Sequence, residues 1–215
     1  VVYDIPHRDC GGQSDGGAAT AARYRRYVDA VARALRGPAR VILEPDSLAG
    51  LDCLGPAHRA GRLALLRVAV RRLAAVRHVA VYLDGGHRNW QPAATMARRL
   101  SQAGVADARG FALNVSGYDA TAAELRYGRA IAARTGWKRF VVDTSRNGRR
   151  THGWCNPRGA AVGRLPGSGP SFPGLDARLW IKRPGESDGV CGTSRAPAGV
   201  FDRRLALDLL RNAGR

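Results

Sequence analysis

The chain has almost no lysine: among its 35 basic residues only Lys138 and Lys182 are lysines, and the others are arginines. No stretch approaches the roughly 18 apolar residues of a membrane-spanning helix. The chain opens directly in a strand-like run, without a charged start and an apolar h-region, so a secretion signal is absent or already removed. No two cysteines have C-x-x-C spacing, which excludes a zinc ribbon and a thioredoxin motif. The histidines lack ligand spacing, so no metal or organic cofactor is implied. Helix-turn-helix, RNP and zinc patterns are missing, which leaves the net charge of +18 as the sole argument for a nucleic-acid partner. The arginines are spread over helical faces (Arg23, Arg25, Arg26, Arg33; Arg62, Arg67, Arg71, Arg72). That spread, in a chain rich in Ala and Gly, fits a coding bias better than a binding stripe. The reading is no nucleic acid and no membrane.

A length of 215 residues with 45% hydrophobic content fits one domain, 1–215, with a sizeable core. No internal repeat or linker divides it. Four cysteines, Cys10, Cys53, Cys155 and Cys191, stand far apart. An even count suggests two disulfides and an oxidising, extracellular compartment, with three pairings open.

Short β-branched or aromatic runs closed by Gly, Pro or Asp read as buried strands. They fall at Val1–Ile5, Val41–Leu43, Val79–Leu83, Phe111–Leu113, Phe140–Val142 and Leu179–Lys182. Helical periodicity separates them at about 18–35, 62–76, 92–103 and 120–134, and a last helix spans about 203–212. The segment 148–174, rich in Gly and Pro, holds no clear element, and so long a loop is usually functional. Strands alternating with helices run parallel and present their C-terminal ends on one face. Four of the runs lead to an aspartate there: Asp9, Asp46, Asp84 and Asp188. Several carboxylates on one face are the equipment of a glycosidase, which needs one protonated and one ionised acid.

Read as strings, YDIPHRDC, ILEPDSL, YLDGGHRNW, FALNVSGYD, VVDTSRNG, WCNPRGAAVG and WIKRPGESDG together resemble glycoside hydrolase family 6, the inverting cellulases. The resemblance runs in order from Val1 to about Asn212. It implies an α/β fold, a distorted parallel β/α barrel, here without the usual N-terminal strand. It also implies hydrolysis of β-1,4-glucan with inversion. By position, Asp46 matches the general acid, whose pKa must be raised. Asp9 matches the residue that raises it and relays the water's proton, and Ser14 the serine that positions that water. Asp188 matches the carboxylate also proposed as direct base, and Asp84 one that tunes charge and binds a sugar. An inverting pair leaves about 6.5–9.5 Å for the water.

The resemblance further makes Lys182 and Glu186 sugar hydroxyl ligands, and Trp90 and Trp154 stacking platforms, with Trp137 and Trp180 weaker candidates. Tyr3 would crowd the distorted sugar beside Arg8, and Asn114 would be a cleft-side amide. His87 reads as a hydrogen-bonded structural residue, and Asp143 and Arg146 as shaping the rim. The family pattern pairs Cys10 with Cys53 and Cys155 with Cys191. Cys191 follows Asp188 by three residues, and the segment from Asp46 to Cys53 is short, so the tunnel-roofing loops of cellobiohydrolases are missing. The expectation is a secreted, monomeric endo-β-1,4-glucanase acting on cellulose or cello-oligosaccharides. The alternative is a glucan-binding protein that has lost turnover.

Overall fold

A computed structural model describes residues 1–9, 16–167 and 172–214. Five strands, β1 (Ala39–Leu43), β2 (Val79–Asp84), β3 (Gly110–Leu113), β4 (Arg139–Asp143) and β5 (Leu175–Leu179), alternate with helices. All pair in parallel, in the order β1-β2-β3-β4-β5. The sheet curls into the distorted barrel form, with helices around it. The first run does not become a sixth strand. It makes a single parallel bridge, Val2 to Leu43, because Glu44 captures the next two N–H groups, those of Asp4 and Ile5, on its side chain. The last run also shifts: β5 ends at Leu179, and Trp180–Lys182 form the turn beyond it.

The helices are α1 (Ala21–Ala34), α2 (Pro56–Ala74), α3 (Ala93–Gln102), α4 (Thr121–Ala132) and α5 (Arg203–Ala213). Helix α1 buries Tyr24, Val28 and Ala32, one face at spacing four. The Thr20 hydroxyl caps its start by accepting from the Arg23 N–H. Helix α2 starts at Pro56, six residues before the apolar periodicity becomes visible, since proline is preformed for a first helical position. Glycine Gly128 lets α4 close on the sheet, because a Cβ there would stand 2.6 Å from the Phe140 ring. The main core lies between these helices and the outer sheet face, from Val28 and Leu66 to Phe111 and Phe140. The inner face carries a second, smaller cluster of Ile42, Tyr82, Ala112, Val141 and Ala177.

The long loop is not structureless. Its Ala161 bridges Asn147, and Gly167 bridges Arg178, so its described part lies along the sheet. Helix α5 packs Leu205 and Leu209 on Tyr118 and Ala160. No helix among the described residues is long and apolar enough to cross a membrane.

Candidate active site

The strands deliver acidic groups to their C-terminal ends through sharply bent backbone. Glu44 and Asp46 after β1, and Asn114 and Ser116 after β3, all have positive φ, between 52° and 68°. Such conformations cost free energy in non-glycine residues and persist where surrounding bonds over-determine them. Those bonds are present. The Asp46 N–H donates to Asp84 Oδ2 at 2.9 Å, and the Gly86 N–H donates to the same oxygen at 3.1 Å. Asp84 is 1% exposed, so it lies beneath Asp46 as a support and does not line the cleft as a sugar ligand would.

Burial and then the Asp9 charge push Asp46 up to about 6, against the opposing pull of His87 and Lys182. Burial and the neighbouring Asp46 raise Asp84 as well. A nearby negative charge favours the neutral form of a buried acid, as Asp9 does for Asp46 and Asp46 for Asp84. His87 keeps Nδ1 2.8 Å from Asp119 Oδ2. Burial alone would lower its pKa, but Asp119 outweighs that and raises it.

Asp188 has the opposite surroundings. Arg146 holds both its oxygens, Nη2 to Oδ1 at 3.0 Å and Nη1 to Oδ2 at 3.0 Å. The Tyr118 hydroxyl donates to Oδ2 at 2.9 Å and the Asn156 N–H at 3.1 Å. Lys182 Nζ stands 3.5 Å from Oδ1 and 3.2 Å from Glu186 Oε1. Arg146 is itself 0% exposed, with its guanidinium 4.4 Å from the centre of the Tyr118 ring. Both carboxylate oxygens are thus taken up by charge-assisted and neutral donors, which fixes the orientation of the group.

The remaining expected residues are placed as follows. Trp90 and Trp154 are 42% and 59% exposed, and Trp90 packs its ring 5.7 Å from that of His87. Arg8 lies over the Tyr3 ring at 4.6 Å and donates to the Tyr3 carbonyl. Asn114 is wholly buried: its amide donates to the Asp143 and Asp119 carbonyls and accepts from the Asp119 N–H, so it ties turns together. Cys10 and Ser14 lie outside the described residues, and with them the expected Cys10–Cys53 pair and the water-positioning serine. Cys155 and Cys191 form a disulfide. Beside Asp9 a cavity of about 360 Å³ opens, lined also by His7, Leu54 and His58.

Several supporting residues carry no visible signal in the sequence. Arg62, read there as one of the scattered surface arginines, is 3% exposed and donates to the carbonyls of Ser47, Pro6 and His7. It thereby ties the segment leading to Asp9 to the turn bearing Asp46. Arg99 does the same for Leu48 and Ala49. Asn156 Oδ1 accepts from the Asp188 N–H, and its amide donates to the Gly189 carbonyl. Asp143, by contrast, was read in the sequence as a rim residue; at the end of β4 it accepts from the N–H groups of Ser116, Ser145, Ile181 and Lys182, so one buried carboxylate bonds to three turns of the rim.

The family model of glycosyl hydrolases family 6 matches residues 1–213. The chain is 48% identical over 215 residues to endoglucanase A of Cellulomonas fimi, covering 99% of this chain and 46% of the relative. It is 46% identical over 220 residues to endoglucanase 1 of Streptomyces halstedii, covering 98% of this chain and 68% of that one. The chain thus spans about half the length of the Cellulomonas relative. The endoglucanase Cel6 of Mycobacterium tuberculosis, solved with methyl-cellobiosyl-4-deoxy-4-thio-β-D-cellobioside, superposes with a TM-score of 0.95 at 48% identity, over 99% of this chain and 75% of that one. With the sequence strings in order, the strand topology matched and the acids gathered on one rim, this chain belongs to glycosyl hydrolases family 6.

Proposed function

We propose that residues 1–215 form a single catalytic domain that hydrolyses internal β-1,4-glucosidic bonds of cellulose or soluble β-glucan with inversion. The observation that carries this reading is the contrast between Asp46, raised to about 6 by burial and by Asp9, and Asp188, gripped through both oxygens by Arg146. Asp46 keeps a proton near neutral pH and delivers it to the leaving glycosidic oxygen. A water attacks the anomeric carbon from the other face as positive charge grows on the sugar ring. Asp188 has both oxygens committed to donors, so its part is to stabilise that charge. Asp9, the other expected acceptor, takes the water's proton. Asp84 acts through Asp46, as a positioning residue. Lys182 and Glu186 offer hydroxyl ligands, and the exposed rings of Trp90 and Trp154 offer platforms for sugar faces. Tyr3 and Arg8 bound the cleft on the Asp9 side.

The relatives named endoglucanases, and the solved relative that holds a cello-oligosaccharide analogue, support the substrate class. The protein acts as a secreted monomer, without cofactor, nucleic acid or membrane. The test is hydrolysis of carboxymethyl-cellulose and cellohexaose by the chain and by Asp46→Asn, with product anomers followed by NMR. Early α-anomer, a steep fall in viscosity and the loss of both in the variant are expected. Cellohexaose bound without turnover would instead make this a glucan-binding protein.

A further inference from the structure

The opposite end of the sheet has its own chemistry. The turns that enter the strands carry Arg36, Arg40, Arg77, Arg109, Arg134 and Arg139, all exposed, together with Lys138. In the same turns the acids are Asp107 and Asp176. Part of the charge excess that looked diffuse in sequence therefore stands together on a face pointing away from the cleft. In its midst stands Trp137, 58% exposed. It follows Gly136, and both residues are left-handed, with φ of 56° at Trp137 and 66° at Gly136. A large aromatic residue in that region is strained. The Trp137 N–H bonds back to the Ala132 carbonyl at 2.8 Å, so the strained turn closes α4 and leaves the indole in water.

The guanidiniums here already grip a carboxylate. Arg109 holds Asp176 through both Nε and Nη2, at 2.8 and 2.9 Å. Arg139, one strand away, approaches the same carboxylate only to 3.9 Å and remains 53% exposed. Lys138 reaches back to the Ala106 and Ala108 carbonyls, which locks the Trp137 turn beside the turn bearing Arg109. Arg109 is thus committed to Asp176, whereas Arg134 and Arg139, three residues before and two after Trp137, are exposed, with Arg134 Nη1 donating to the Ala130 carbonyl.

We propose that this face is a second carbohydrate site, which takes an acidic polysaccharide with carboxylate-bearing pyranose rings. A sugar ring stacks on Trp137, and its carboxylates pair with Arg134 and Arg139. The pairing of planar guanidinium with carboxylate is bidentate and directional, and the ring selects a sugar face. A nucleic acid asks for a basic groove with successive aromatics along the strand, and this face offers a single ring on a convex end. Held this way, the protein keeps its cleft turned outward toward neutral glucan while it rides on an acidic matrix.

The experiment is native affinity electrophoresis of the whole chain in gels holding polygalacturonate, hydroxyethyl-cellulose or double-stranded DNA, at low and at 0.15 M salt (a Debye length of about 8 Å). Trp137→Ala should weaken apparent affinity for polygalacturonate about fivefold, and Trp137→Phe should restore most of it. Arg134→Ala with Arg139→Ala should weaken it further and flatten its salt dependence. All variants should keep the melting temperature and cellohexaose turnover of the parent chain. Retention unchanged by Trp137→Ala overturns the site. So does an equal loss on DNA, which would mean a general polyanion surface, or an equal loss on neutral glucan, which would mean a site indifferent to carboxylates.

Discussion

At the C-terminal ends of the strands, Arg62, Arg99 and Arg146 are buried, and every described bond they make holds a loop carbonyl or a carboxylate. At the N-terminal ends, Arg36, Arg77 and Arg139 lie in water. The same side chain thus builds a rigid rim at one end and a charged surface at the other. Burial makes the difference: a desolvated guanidinium must find partners, and having found them it fixes their geometry. An exposed one is screened and contributes little to stability, which leaves it open to partners outside the molecule. Arginine count alone therefore says nothing about arginine's work.

The sharpest break in this comparison is at Asp46. Asp46→Asn should lower kcat on cellohexaose about 10²–10⁴-fold, the usual contribution of a general acid, while the melting temperature holds. Paired Ala changes at Arg134 and Arg139 should leave kcat within about twofold, as surface positions far from the chemistry. A comparable loss at both ends would dissolve the distinction. Next comes Arg146→Met, which leaves Asp188 buried without its main partner and should cost about 3–5 kcal/mol in urea unfolding. A cost under about 1 kcal/mol would mean that Lys182, Tyr118 and Asn156 hold the anion without help.

The division between the ends was only half legible in sequence. Short apolar runs located β1 to β4, and period-3.6 hydrophobicity located the five helices, with the start of α2 missed by six residues. The aspartates closing the runs marked the rim, because a charged residue after an apolar run must sit where the strand leaves the core. Arg146 was read as a rim residue from the string around it, but Arg62 and Arg99 were invisible as organisers: an arginine on a helix has no local sign that its side chain turns inward, and burial depends on chain segments far away in sequence. Val1–Ile5 misread as a strand for the same reason, since the competing acceptor, Glu44, lies about forty residues on. The charged face opposite the cleft escaped because its arginines come from four separate turns.

A pH series sharpens the comparison further. Glu44 and Glu124 are buried and pushed up to about 7, and burial raises Asp46 and Asp84 as well. The folded chain therefore keeps protons that the unfolded chain releases near pH 4. Their stabilisation is full below that pH and is lost as pH rises through about 6 to 7. The melting temperature should thus fall between pH 5 and 8, and Glu44→Gln should flatten the fall. Turnover should decline above pH 6 as Asp46 loses its proton. His87→Asn should move that limb to higher pH, because the His87 charge lowers the Asp46 pKa. An unmoved limb would detach His87 from the acid.

The smallest effect belongs to the other end. Asp176 is held below the usual carboxylate range: burial opposes this, but the Arg109 and Tyr82 bonds prevail. Its contribution to stability is present above the ordinary aspartate pKa and is lost as pH falls through the lowered one. Its arginine partners are about half exposed, so solvent screens the pairs. Asp176→Asn should cost about 1 kcal/mol at pH 7, with wild type and variant converging as pH falls below the ordinary aspartate range, and with kcat unchanged. The same substitution frees Arg109 and adds one positive charge beside Trp137, so retention on polygalacturonate should increase. A loss of turnover in this variant would show that the two ends are mechanically linked through β5, and the separation of a catalytic rim from a binding base would fail.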